Sequence, residues 1–145
     1  MVWAVSAGRA DFARSGLHMI SKSAERIPSE SRLRSKAEFT QLKAHGRPAR
    51  GRHCLVVFEA RPGEPTQVAF VASRKGVGGA VERNRARRRM REIVRRRWPR
   101  VAPFGVRMMF VAFRSLPRAA HADLVEDIER LLVEAGAMTA ESLTS

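Results

Sequence analysis

The chain is poor in the residue types that build disulfide, metal and hydrolytic centres. One cysteine, Cys54, stands among 145 residues. That excludes an internal disulfide framework and a Cys-rich zinc site. The four histidines, His18, His45, His53 and His121, keep no metal-ligand spacing. No apolar run approaches the ~20 residues of a membrane span. Arg9, Asp11 and Arg14 interrupt the N-terminal stretch that a signal peptide would need. The expectation is a cytoplasmic protein with no membrane partner. Acidic residues are scarce too: 14 Asp and Glu face 28 Lys and Arg, for a net charge of +14 and a pI near 11.7.

What is present is arginine. A small domain with this charge repels itself unless something anionic neutralises it. Only Lys22, Lys36, Lys43 and Lys75 are lysines. The planar guanidinium fork grips phosphate and stacks on bases, which points to nucleic acid. No Ser/His/Asp set, no paired carboxylates on a shared face and no acidic metal cluster is visible, so a self-contained nuclease is disfavoured.

The organisation reads as residues 1–30, a flexible extension rich in Ser, Ala and Gly without sustained apolar period; 31–138, one domain; and 139–145, a short tail. Ser35-Lys-Ala-Glu38 is a capping box, predicting a helix over Lys36–His45 that Gly46 stops. The β-branched segments His53–Ala60 and Gln67–Ser73 flank the turn cluster Arg61–Pro65 and are expected to pair as a hairpin. A glycine loop, Gly76 to Gly79, leads to a helix over Ala80–Trp98, closed by Pro99. A third strand over Val106–Phe113 and a helix over Ala120–Ala135 follow. On that last helix Leu124, Ile128, Leu131, Leu132 and Ala135 form an apolar stripe. Asp123, Glu126, Asp127, Glu129 and Glu134 are expected on its outer, acidic face.

The segment Val81–Arg100 holds ten Arg against two Glu, a net of +8. At 100° per residue Ala86, Met90, Ile93, Val94 and Trp98 share one side, suited to burial against a sheet. Asn84, Arg85, Arg88, Arg91, Arg95 and Arg96 share the other. Like charges at i,i+4 cost stability, so a face of this kind calls for phosphates. Pro99 and the missing leucine heptads exclude a continuous zipper helix.

With Arg83-Asn84-Arg85 on a long helix behind Ser73-Arg74-Lys75 and a glycine loop, the sequence resembles the bacterial ribonuclease P protein family. The likeness spans about Arg32 to Ala137, with Ala72–Glu92 as its core, and Arg32-Leu-Arg followed by Phe39 and His45-Gly46 supports it. The resemblance implies an α+β fold, a single α/β sandwich of order αβββαβα. It implies a four-stranded sheet, three helices and a left-handed crossover through the basic helix, against the usual hand. It implies a non-catalytic subunit of a ribozyme that removes the 5′ leader from precursor tRNA. Its partners are the catalytic RNA and precursor tRNA rather than a small-molecule substrate, and Mg²⁺ is held mainly by the RNA. Carried over by position, Arg83, Asn84, Arg85 and Arg88, with Arg91 and Arg95 along the same face, contact the catalytic RNA. Ser73, Arg74 and Lys75 border a leader cleft. Phe39 stacks on leader bases there, flanked by Lys36 and Lys43. Lys43 and Val57 stand where many members carry aromatics, so leader contact relies more on charge. A structural RNA-binding protein of ribosomal type is the alternative.

Overall fold

The computed structural model describes residues 26–140 except Arg34. The first helix, α1 (Lys36–His45), is closed by the expected capping box. Glu38 N–H donates to Ser35 Oγ at 3.4 Å, and Ser35 N–H donates to Glu38 Oε1 at 3.3 Å. Gly46 ends the helix for reasons of space rather than backbone angle. A Cβ there would lie 2.5 Å from the Leu42 carbonyl oxygen and 2.6 Å from Val57 Cγ1.

Four strands follow the pattern β1 (Arg47–Arg50), β2 (Cys54–Pro65), β3 (Gln67–Val71) and β4 (Phe104–Ala112). The basic helix α2 (Ala80–Arg97) lies between β3 and β4, and α3 (His121–Glu134) closes the domain. The order is αβββαβα, in an α+β sandwich. The sheet order is β1-β2-β4-β3, with β3 and β4 parallel and the other pairs antiparallel.

This order corrects the expected hairpin: β2 and β3 are not neighbours, because β4 lies between them. Met108 and Phe110 bury on one face of β4 and Met109 on the other, as a central strand requires. Pro62 and Pro65 supply no N–H, and the β2–β4 register shifts between Arg61 and Pro65, where Gly63 takes φ +83°. The turn cluster therefore bulges out of the strand instead of folding β3 back onto β2.

The sheet separates two apolar clusters. Leu42 of α1, with half-buried Phe39, packs on Ala69, Met109 and Val57. The stripes of α2 and α3 pack on the opposite face, over Val56, Val68, Met108 and Phe110. All five predicted α2 stripe residues and all five on α3 are buried. At this scale each buried large apolar side chain contributes about 1.5–3 kcal/mol. The packed chain reaches back to Ile27, which is buried, and Leu33 N–H donates to the Val68 carbonyl on the outer edge of β3 at 3.1 Å. The weak helix suggested by Met1–Gly16 lies outside the described residues.

Asp127 is a second correction. It faces inward and is 3 % exposed, where it accepts part-buried N–H donors of the β1–β2 turn. Glu129 also turns toward a partner, Arg97, at 2.7 Å. On the α1 side of the sheet the buried guanidinium of Arg107 meets Glu38, Glu59 and Glu64 at 3.5, 3.9 and 3.6 Å, and Gln67 at 3.2 Å. It thereby joins α1 to three strands.

Candidate nucleic-acid interface

The basic helix is held in place from below, so that its outer row faces away from the sheet. Arg89 donates to the carbonyls of Leu116 and Pro117 at 2.9 and 3.0 Å. Arg87 reaches the Ala72 carbonyl at 3.4 Å and also bonds Asn84 Oδ1. Arg97 pairs with Glu129 across to α3. These contacts fix the rotation of α2 about its axis together with its apolar stripe.

Asn84, Arg85, Arg88, Arg91 and Arg96 are exposed, as expected. Arg85, Arg88 and Arg91 have no carboxylate within 4.0 Å among the described residues. Glu92 instead neutralises the C-terminal end of the row, with Arg95 Nε at 3.1 Å and Arg96 Nε at 3.4 Å. The hydrogen bond from Arg95 outweighs the opposing effect of burial, and with the Arg96 hydrogen bond and the charges of both it holds the Glu92 carboxyl below its ordinary range. Arg95 is accordingly half-buried and ion-paired. Arg83 is also half-buried, with Nε lacking a hydrogen-bond partner. Burial, then the neighbouring Arg85 charge, lowers the pKa of Arg89. Arg85 and Arg89 repel each other, a repulsion that a neighbouring anion would relieve.

A groove of about 470 Å³ runs beside this row. Its walls are Leu33, Phe39 and Ala69 on the α1 side, and Phe70, Arg91 and Arg95 on the α2 side. Arg26 and Arg32, both exposed, and buried Ile27 and Val68 complete its lining. The groove thus passes around the outer edge of β3, which Arg32 and Leu33 cover in part at Val68, from one face of the sheet to the other. Phe39 has one side in the α1 cluster and the other on the groove, with Lys36 and Lys43 exposed on the same helix. Ser73, Arg74 and Lys75 sit in the loop after β3 and are exposed. Ser73 Oγ accepts the Gly76 N–H at 2.8 Å, so its hydroxyl also shapes the loop.

Sequence reasoning missed Phe70. It stacks on Phe110 at 6.0 Å and lies under the Arg91 guanidinium at 5.8 Å. Its signal was a phenylalanine in a strand, which reads as core until the strand is known to be an edge. Arg26 and Arg32 were missed because the chain ahead of α1 carries no apolar period.

The sequence model of the Ribonuclease P family matches residues 27–136. The ribonuclease P protein component of Symbiobacterium thermophilum is 39% identical over 111 residues, covering 76% of this chain and 95% of that protein. The component from Streptomyces avermitilis is 39% identical over 119 residues, covering 73% and 92%. The solved RNase P protein from Thermotoga maritima superposes with a TM-score of 0.62 at 26% identity, covering 71% of this chain and 96% of that one. A match over nearly the whole packed domain, with an arginine-faced helix beside an aromatic groove, settles the relationship: the chain belongs to the ribonuclease P protein family.

Proposed function

We propose that the outward row of α2 binds the catalytic RNA of ribonuclease P while the groove between α1 and β3 holds the 5′ leader of precursor tRNA. The observation that carries this reading is the continuity of the two features. Arg91 belongs to the exposed row and also lines the groove that Phe39 and Phe70 share. A single RNA strand laid in the groove meets two aromatic rings for stacking and guanidinium groups for its phosphates. Lys36, Lys43, Ser73, Arg74 and Lys75 are the groups proposed to border the leader. Arg83, Asn84, Arg85, Arg88, Arg91 and Arg95 are those proposed to meet the catalytic RNA. Arg95 does so through a guanidinium shared with Glu92.

The residues fit a positioning role better than a chemical one. No group of three or more His, Cys, Asp or Glu among the described residues could hold a metal ion. Mg²⁺, which would supply Lewis-acid chemistry, would be held by the RNA. The protein's contribution is to raise the local affinity for substrate and to offset phosphate repulsion where two RNAs approach.

The test is reconstitution. Protein alone is expected to cleave no precursor tRNA. Protein added to transcribed ribonuclease P RNA at low Mg²⁺ is expected to restore removal of the leader. Site-specific cleavage by RNA-free protein, insensitive to ribonuclease inhibitor, would overturn the assignment. Recovery of ribosomal RNA instead of one dominant structured RNA in a pull-down would favour a structural ribosomal role.

A further inference from the structure

The helix that carries Phe39 is held to the sheet by few side chains. Leu42 is the one buried residue of α1, whereas α2 buries Ala86, Met90, Ile93 and Val94. The C-terminal end of α1 is fixed where Gly46 lies against Val57 and the chain enters β1. A single apolar contact does not set the rotation of a helix about its axis, so its first turn needs a second point of attachment. Among the described residues Glu38 is the one side chain of α1 that pairs with a polar side chain of the sheet, and its partner is Arg107. Glu38 precedes Leu42 by one turn, about 6 Å along the axis. Phe39 stands next to Glu38 and about 60° round from Leu42.

Arg107 lies at the centre of this attachment and is 3 % exposed. It shares a face of β4 with Met109, which belongs to the α1-side cluster. Its register partners are Glu59 on β2 and Gln67 on β3. Nε donates to Gln67 Oε1 at 3.2 Å, and Nη2 reaches Glu38 Oε2 at 3.5 Å and Glu64 Oε1 at 3.6 Å. Nη1 and Glu59 Oε1 stand 3.9 Å apart, and both are buried without a hydrogen-bond partner. The guanidinium is thus turned toward α1 and β3 rather than closed on its neighbour in β2. A buried cation is a costly way to fill space, and its use here is to specify an arrangement. Glu38 carries the start of the helix and its placement on one carboxylate: Oε1 accepts the Ser35 N–H at 3.3 Å while Oε2 faces Arg107.

We propose that Arg107 is a positioning residue for the leader groove, which through Glu38 sets the rotation of α1 and with it the separation of the Phe39 and Phe70 walls. Phe39 stands on α1 and Phe70 on β3, and both line the groove. One buried guanidinium therefore ties together the supports of both walls, although Arg107 itself lies outside the lining. The inference deepens the leader reading and rests on it. Its consequence is selective: a shifted α1 weakens stacking on the leader and leaves the surface of α2 as it was.

The experiment uses holoenzyme reconstituted from full-length protein and transcribed ribonuclease P RNA. Initial rates are measured on precursor tRNA with a long leader and with a leader of one nucleotide. Glu38→Gln keeps an oxygen for the Ser35 N–H but turns an amide N–H₂ toward Arg107. Glu38→Gln and Arg107→Met are each expected to raise KM for the long leader roughly threefold to tenfold, part of what stacking contributes. KM for the short leader and kcat on both substrates are expected to stay near wild type. Ser35→Ala, which removes the cap and keeps the Arg107 pair, is expected to change neither KM. Added to Phe39→Ala, neither Glu38→Gln nor Arg107→Met is expected to raise KM further. If Arg107→Met does not fold, Glu38→Gln decides alone.

An equal rise in KM for both leaders, or a fall in kcat, would overturn the proposal, since the damage would not be confined to the groove. So would full additivity with Phe39→Ala, or a leader-dependent loss in Ser35→Ala equal to that in Glu38→Gln. Wild-type kinetics in Glu38→Gln, while Phe39→Ala loses the long leader selectively, would overturn the positioning role and leave the leader reading standing. Phe39→Ala with no difference between the two leaders would remove the leader reading, and the positioning role with it.

Discussion

The Asp127 carboxylate accepts the backbone N–H of Arg52 at 2.8 Å, seventy-five residues away in sequence. Its other oxygen takes the His53 N–H at 3.0 Å, and the Cys54 thiol lies 3.7 Å from it. Arg130 approaches from the next turn of α3 at 3.3 Å. One buried side chain thus pins the β1–β2 turn to the last helix. Gly51 is the counterpart of this arrangement: a Cβ there would stand 2.5 Å from Asp127 Oδ1.

Asp127→Ala is expected to cost about 1–3 kcal/mol, since it leaves two part-buried N–H donors without their carboxylate. Gly51→Ala is expected to destabilise the wild type by crowding the carboxylate, and to be nearly neutral in the Asp127→Ala background. Urea unfolding of the four species of this cycle measures the coupling. Additive single effects would show that Gly51 and Asp127 do not constrain each other.

Arg85→Ala/Arg88→Ala is expected to weaken RNA binding while leaving the circular dichroism spectrum and melting temperature close to wild type. Both side chains are exposed, and neither carries an ion pair among the described residues. The salt slope is expected to flatten by roughly 0.7–0.9 for each lost contact. Loss of Arg85 also relieves its repulsion of Arg89. A drop in melting temperature is therefore not expected, and thermal unfolding checks this.

Phe39→Ala is expected to weaken binding of precursor tRNA by about 1–3 kcal/mol, the range for stacking on one base, with little effect on mature tRNA. The ring is half-buried, so the stability loss is expected to stay below ~2 kcal/mol, less than the about 3–5 kcal/mol of a fully buried phenylalanine. Paired titrations with the two tRNAs and a denaturant curve separate these outcomes. Equal loss for both tRNAs, or a loss of stability in the core range, would make Phe39 a packing residue alone.

Cys54 is expected to resist thiol reagents in the folded protein. Burial, then the Asp127 charge and the hydrogen bond to Asp127, pushes its thiol well above the ordinary range, while Arg130 pulls weakly the other way. Because the folded state keeps its proton longer, this contribution to stability is complete below the unfolded thiol value, ~8.5, and declines as pH rises past it. Colorimetric thiol titration at pH 8, with and without denaturant, checks the first point. Urea curves at pH 8 and pH 10 for wild type and Cys54→Ala check the second. Rapid modification of the native protein would contradict the burial.

The three helices could be read from the chain because their signals are local. Ser35 and Glu38 mark one start, and Pro99 and Gly136 lie just beyond two ends. The stripes on α2 and α3 keep the helical period throughout. The strand β1 could not be read, because Arg47-Pro-Ala-Arg50 has no apolar alternation and is held by its pairing with Leu55–Phe58. Sheet order depends on β4 meeting both β2 and β3, a long-range choice with no local trace. The same holds for Asp127, whose burial is decided by a distant turn. Within the candidate site the exposed row Arg85, Arg88 and Arg91 follows from the 100° step alone. The ion pair of Arg95 with Glu92 is an i,i+3 contact that the same reasoning could have found. Phe70 needed the knowledge that β3 is an edge.

The place of β4 has a consequence for the newborn chain. Cys54 pairs with Ala112, and Val71 with Val111. While translation has passed β3 but not Phe104–Ala112, β2 and β3 have no common neighbour, and the apolar stripe of α2 has an incomplete floor. Non-local pairing of this kind closes late and slowly. The ten arginines of Val81–Arg100 therefore leave the ribosome before the sheet that orients them can exist. Assembly with RNA in an ordered register must wait until Phe104–Ala112 has been made.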